Sequence, residues 1–151
     1  MESHISDISR TIQLAVAPVF LLTAISTLIM ALNNRLGRVI DRRRTLTERL
    51  RNPPADTLDE LRAELELISR RLRYIYLAIL FAVIAALAIC LVVASAFVGA
   101  LFGFDLARTV AVLFIAAMIS MIGCLSMFLR EVFLAVTGGR RVLPDIRNVR
   151  I

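Results

Sequence analysis

Three stretches of this chain carry no charged residue at all: Thr11–Asn34, Tyr74–Phe104 and Thr109–Leu129, runs of 24, 31 and 21 residues. Each meets the requirement of about 20 apolar residues for a helix that crosses a hydrocarbon layer roughly 30 Å thick. The chain is 59% hydrophobic with a mean hydropathy of +0.81, whereas soluble domains are roughly 45–50% apolar. The pattern predicts an all-α integral membrane protein with three transmembrane helices, at 11–32, 74–104 and 109–136. The first span is expected to stay in the mature protein, because "MESHISDISR" lacks a basic n-region and the apolar run outlasts the usual h-region.

The charges between the spans set the expected topology. Residues 1–10 hold Glu2, Asp7 and Arg10, a net of −1, and the short connection at 105–108 holds Asp105 and Arg108, a net of 0. Residues 33–73 hold eleven Arg against seven acids, and residues 130–151 hold five Arg against two. The positive-inside rule therefore predicts an outer N-terminal tail at 1–10 and a cytoplasmic loop and C-terminus, as in a multi-pass protein of a bacterial inner membrane. All 18 basic residues are Arg. They alternate with acids and lack interleaved aromatics, which argues against a nucleic-acid partner.

The segment at 33–73 reads as a helical hairpin built from extensions of spans 1 and 2, with a turn at 52–57 in "NPPADT". On the returning arm Leu58, Leu61, Leu65, Ile68 and Leu72 are spaced 3, 4, 3 and 4, an a/d seam. Leu36, Val39, Leu46 and Leu50 fit the same register on the outgoing arm, with Arg43 at the position where another core residue belongs. An antiparallel coiled-coil hairpin of roughly 25–28 Å follows at 1.5 Å per residue. Arg35, Arg38, Arg70, Arg71 and Arg73 lie close enough to the membrane to contact anionic lipid headgroups, where each basic residue gains about 1 kcal/mol. Pro18 is expected to kink span 1, Asp105 to cap span 3, and Gly138-Gly139 to stop it near Val136. The basic tail at 137–151 invites no assignment.

Signals for chemistry are sparse. His4 stands in a short tail with few possible partners, and no Walker, glycine-rich or Cys-x-x-Cys motif occurs. No catalytic residue, metal ligand or cofactor is expected, and the chain does not read as an enzyme. Packing signals are stronger: Ala78, Ala82, Ala86, Cys90 and Ala94 recur every four residues in span 2, and Ala116, Ser120 and Cys124 do so in span 3. Small residues at this spacing let helix backbones approach closely, within the chain or between copies, and a homo-oligomer is expected. In span 1 Thr23, Ser26, Thr27, Asn33, Asn34 and Arg35 are candidate pore-lining residues if that span faces a symmetry axis. Glu131, just inside the membrane, has Arg35 or Arg130 as expected partners.

With Pro18, the exit "LNNRLGRVIDRRR", the helical hairpin and the two closing spans in view, the sequence resembles a bacterial family of small membrane proteins catalogued as a domain of unknown function. The resemblance covers roughly residues 8–136. It implies the three-span topology and brings no activity, ligand or catalytic residue with it. Two functions from different classes follow from the residues: a homo-oligomeric channel with span 1 on its axis, and a non-conducting scaffold or adaptor whose hairpin binds a cytoplasmic protein partner or anionic lipid. The first is the preferred expectation.

Overall fold

The computed structural model describes the backbone of residues 2–51, 58–103 and 105–141, and the side chains of residues 16–51, 58–103 and 105–137. It is all-helical: α1 (Glu2–Arg49), α2 (Leu58–Phe102) and α3 (Ala107–Arg141), with no strand among the described residues. Each helix contains a stretch long and apolar enough to cross a membrane, so the chain is a multi-pass membrane protein. The expected turn at 52–57 and the tail from 142 onward lie outside the described residues, as does the side chain of His4.

Helix boundaries follow local chemistry with two departures. Residues 2–10, expected as a tail, already belong to α1, which carries Pro18 in its interior. At the other end the Leu50 amide still donates to the Leu46 carbonyl at 3.1 Å, so the last turn closes close to the expected Arg51. The helix α2 stops where Gly103 takes a φ of 71°, a left-handed conformation that costs residues with a Cβ about 1–2 kcal/mol. The Asp105 carboxylate accepts the Ala107 amide at 3.1 Å and caps α3. The second departure is at the far end: α3 runs through Gly138-Gly139 to Arg141. A glycine costs a helix interior only about 1 kcal/mol relative to alanine, too little to end it without a competing structure.

Two compact units divide the chain, one drawing on α1 up to Ala31 and on Leu80–Gly123, the other on Leu32–Ile79 and on the residues from Cys124. In the first unit α2 supplies most of the core. Ala82, Ala85, Ala88, Ile89 and Val92 are buried, with Ala117 and Ser120 from α3 and Ile25 from α1. The Ser120 hydroxyl donates to the Phe81 carbonyl at 2.8 Å. Gly123 lies against the Phe81 ring so closely that a Cβ would meet ring carbons at 3.3–3.4 Å. These contacts bring the helix backbones together through small residues, the usual device where lipid supplies no hydrophobic driving force.

In the second unit α1 and α2 run antiparallel. Arg42 bonds Glu64 through Nη2 at 2.7 Å and Nε at 3.1 Å, while Arg35 and Arg71 share one carboxylate. As α1 recedes by seven residues, α2 advances by seven. Along this pair Val39, Leu46, Ile68, Leu72 and Ile75 form a buried cluster, flanked by Leu36, Leu61, Leu65 and Ile79. Leu50 and Leu58 are half-buried, and Arg43 is exposed. Within this unit the buried positions of α1 are Leu32, Val39 and Leu46, seven residues apart, and Ile68 and Ile75 repeat likewise in α2. A period of seven keeps one narrow stripe facing a partner helix.

Candidate functional site

The second unit places a buried acid among arginines. The three helices each change there from an apolar run to charged sequence: α1 after Asn34, α3 after Leu129, and α2, read backwards, beyond Tyr74. Glu131 of α3 sits at that change with only 1% of its side chain exposed. Its Oε2 accepts from Arg35 Nη1 of α1, and its Oε1 accepts from Arg71 of α2 through Nη2 at 2.8 Å and Nε at 3.3 Å. The guanidinium of Arg35 also stacks over Phe128 with its central carbon 5.0 Å from the ring centroid, a favourable cation–π distance.

This geometry follows from what a carboxylate needs once it is out of water. Burial of an unpaired charge costs several kcal/mol, and two charge-assisted donors on opposite oxygens offset that cost. The arginines themselves stay partly wet, with side chains 33% and 28% exposed, so only the acid bears the full desolvation. Among the described residues no buried side-chain nitrogen or oxygen is left without a hydrogen-bond partner.

Beside this bridge lies a cleft of about 290 Å³ lined by Arg35, Arg38, Val39, Arg42, Ile68, Arg71 and Glu131. Arg42 is held by Glu64. Arg38 is exposed and forms no ion pair with a described residue. Of the five arginines expected near headgroups, Arg35, Arg38 and Arg71 line this cleft, while Arg70 bonds Glu66 at 2.8 Å and Arg73 is exposed.

The candidate pore residues of α1 take up a simpler arrangement. Thr23, Ser26 and Thr27 are exposed on the single chain, and each hydroxyl donates to the carbonyl four residues earlier, at 3.1, 2.9 and 3.0 Å. Asn33 and Asn34 are exposed, and Arg35 is engaged by Glu131.

The small-residue series spread around their helices instead of sharing one buried face. Ala78 and Ala82 are buried, Ala86 is half-buried, and Cys90 and Ala94 are exposed. In α3 Ser120 and Cys124 are buried and Ala116 is exposed. A step of four residues turns about 400°, so each successive member moves roughly 40° round the helix. The buried set of α2, which includes residues 68, 72, 75, 78, 82, 85, 89 and 92, mixes steps of three and four, which keeps it on one face.

The pairing of Glu131 with Arg35 was open to sequence reasoning, which missed Arg71 and the convergence of Arg38 and Arg42 on the cleft. One signal was available: Arg35 and Arg71 are equally distant from Pro53, and so are Arg42 and Glu64. A hairpin turning at that proline puts the members of each pair opposite one another.

No curated protein and no solved structure matches the chain. A family model described as a protein of unknown function, DUF2721, matches residues 15–141, which include every residue of the bridge and the cleft. The three membrane-spanning helices and the bridge at Glu131 are thus features of a member of that family, to which this chain belongs.

Proposed function

We propose that this protein is a non-enzymatic scaffold of a bacterial inner membrane, its N-terminus outside and its C-terminus in the cytoplasm. Its α1–α2 pair stands beyond the lipid as an antiparallel coiled-coil hairpin that recruits a cytoplasmic partner. The bridge at Glu131 carries this reading. It ties both arms of the pair to the end of α3 where all three helices become charged, and so fixes the arm at its base. Beyond the bridge the outer face is a mixed field of Arg42, Arg44, Glu48, Arg62 and Glu66, all exposed, which suits a polar and reversible interface. The 33–73 segment carries the chain's largest positive excess, which supports the cytoplasmic assignment.

A second reading, a homo-oligomeric channel with α1 on the axis, draws on a different observation. Only 11% of the most apolar window of α1 is buried within the chain, against 33% in α2, so α1 offers its exposed Thr23, Ser26 and Thr27 to a neighbouring copy. The same exposure supports a homo-oligomer whether or not it conducts. The scaffold is favoured because the candidate pore-lining Arg35 is already paired with Glu131, and the hydroxyls already bond to their own helix.

The test is the mass of the purified complex in nanodiscs together with ion flux in liposomes. The scaffold predicts no flux above protein-free liposomes, and capture of the same cytoplasmic protein by photoreactive residues placed at 48 and 62. Flux that changes selectivity on Asn34→Ala would replace the scaffold with the channel.

A further inference from the structure

We infer that the cleft beside Glu131 is a binding site for a phosphate group, presented either by an anionic phospholipid headgroup or by a soluble phosphate. The inference does not rest on the scaffold reading and would hold equally for a channel.

Four guanidinium groups, Arg35, Arg38, Arg42 and Arg71, face a space of about 290 Å³. Two carboxylates answer them: Glu131 bridges Arg35 and Arg71, and Glu64 holds Arg42. The cleft keeps an excess of two positive charges, and Arg38 has no described counter-ion. Its volume lies at the lower end of the range for ligand pockets, which favours a small headgroup or a bare anion over a bulky ligand.

The fixed partners argue for a built site and against a chance crowding of charge. Glu131 is fully buried and takes one donor group on each oxygen, so it sets the positions of two arginines that it cannot fully neutralise. Glu64 of α2 likewise holds Arg42, two turns along α1 from Arg35. Arginine forks match tetrahedral phosphate oxygens in pairs, and guanidinium is weakly hydrated enough to bind at an interface. The placement agrees, because all three helices leave their apolar runs at this level, where phospholipid phosphates are concentrated. Two excess charges fit two phosphodiesters, as in cardiolipin, or one phosphate dianion.

The test uses the full-length protein in phosphatidylcholine nanodiscs, with cardiolipin or phosphatidylglycerol added in one arm and inorganic phosphate in the other. Retained lipid is read by native mass spectrometry and stabilisation by thermal unfolding. Arg38→Ala should weaken binding about fivefold, the loss of one basic residue at a membrane surface. The control Arg49→Ala, exposed and outside the cleft, should change it less than twofold. An Arg38-dependent effect of phospholipid alone identifies a headgroup, and one reproduced by inorganic phosphate identifies a soluble anion. No binding in either arm, or equal losses in Arg38→Ala and Arg49→Ala, would overturn the site.

Discussion

Glu131 is the one carboxylate that is fully buried among the described residues, and its two arginines are unequal in kind. Arg71 offers two donors to one oxygen, whereas Arg35 offers one and leans on Phe128. Either arginine alone still neutralises the acid, and both are partly wet, so Arg35→Met or Arg71→Met should each cost little, about 0.2–1 kcal/mol. The double variant leaves the carboxylate buried and unpaired, which typically costs about 3–5 kcal/mol. Unfolding of the four proteins of this cycle in nanodiscs should therefore show a loss well above the sum of the singles. Additive losses would mean that the two arginines do not share the acid.

Along the elements, burial is concentrated in a few positions. Leu46 is 1% exposed, so Leu46→Ala should cost about 2–5 kcal/mol. Leu50→Ala should cost clearly less because Leu50 is only half-buried. Arg43→Ala should stay within about 0.5 kcal/mol despite its place in the register, as other exposed substitutions do. Thermal unfolding ranks the three, and a large loss at Arg43 would contradict the observed seam. Between α2 and α3 the sensitive point is Gly123. A leucine there has to displace the Phe81 ring, and overpacking of this kind costs roughly 1–3 kcal/mol, measurable as a lower unfolding temperature than that of the neighbouring exposed variant Ile122→Leu.

Much of this was legible in the sequence for a physical reason. Charge-free runs reveal spans because a charge inside hydrocarbon is costly wherever it sits. The 3-and-4 spacing of Ile68 and Leu72 reveals a seam because a helix has a fixed period. Arg43 misled, because register alone does not say whether a long charged side chain stays in water. The every-four small residues lie on more than one face, because residues that share a face over one turn drift apart over four.

At the scale of the whole molecule, what one sequence encodes least is which helices meet. Glu131 is separated from Arg71 by 60 residues and from Arg35 by 96, and no local pattern couples them. Membrane depth offered Arg35 as a partner for Glu131, and the mirror relation about Pro53 tied Arg71 to Arg35 only once the hairpin was assumed. The account therefore depends on an antiparallel α1–α2 pair in one register, standing on the cytoplasmic side of the membrane. Cysteines at Arg42 and Glu64, in a Cys90→Ser, Cys124→Ser background, test this directly in inverted inner-membrane vesicles treated with a membrane-impermeant oxidant. The account predicts a rapid disulfide within one chain for the 42–64 pair and none for a 42–71 pair. A 42–64 bond that forms only between chains, only after the vesicles are permeabilised, or no faster than 42–71 would contradict it.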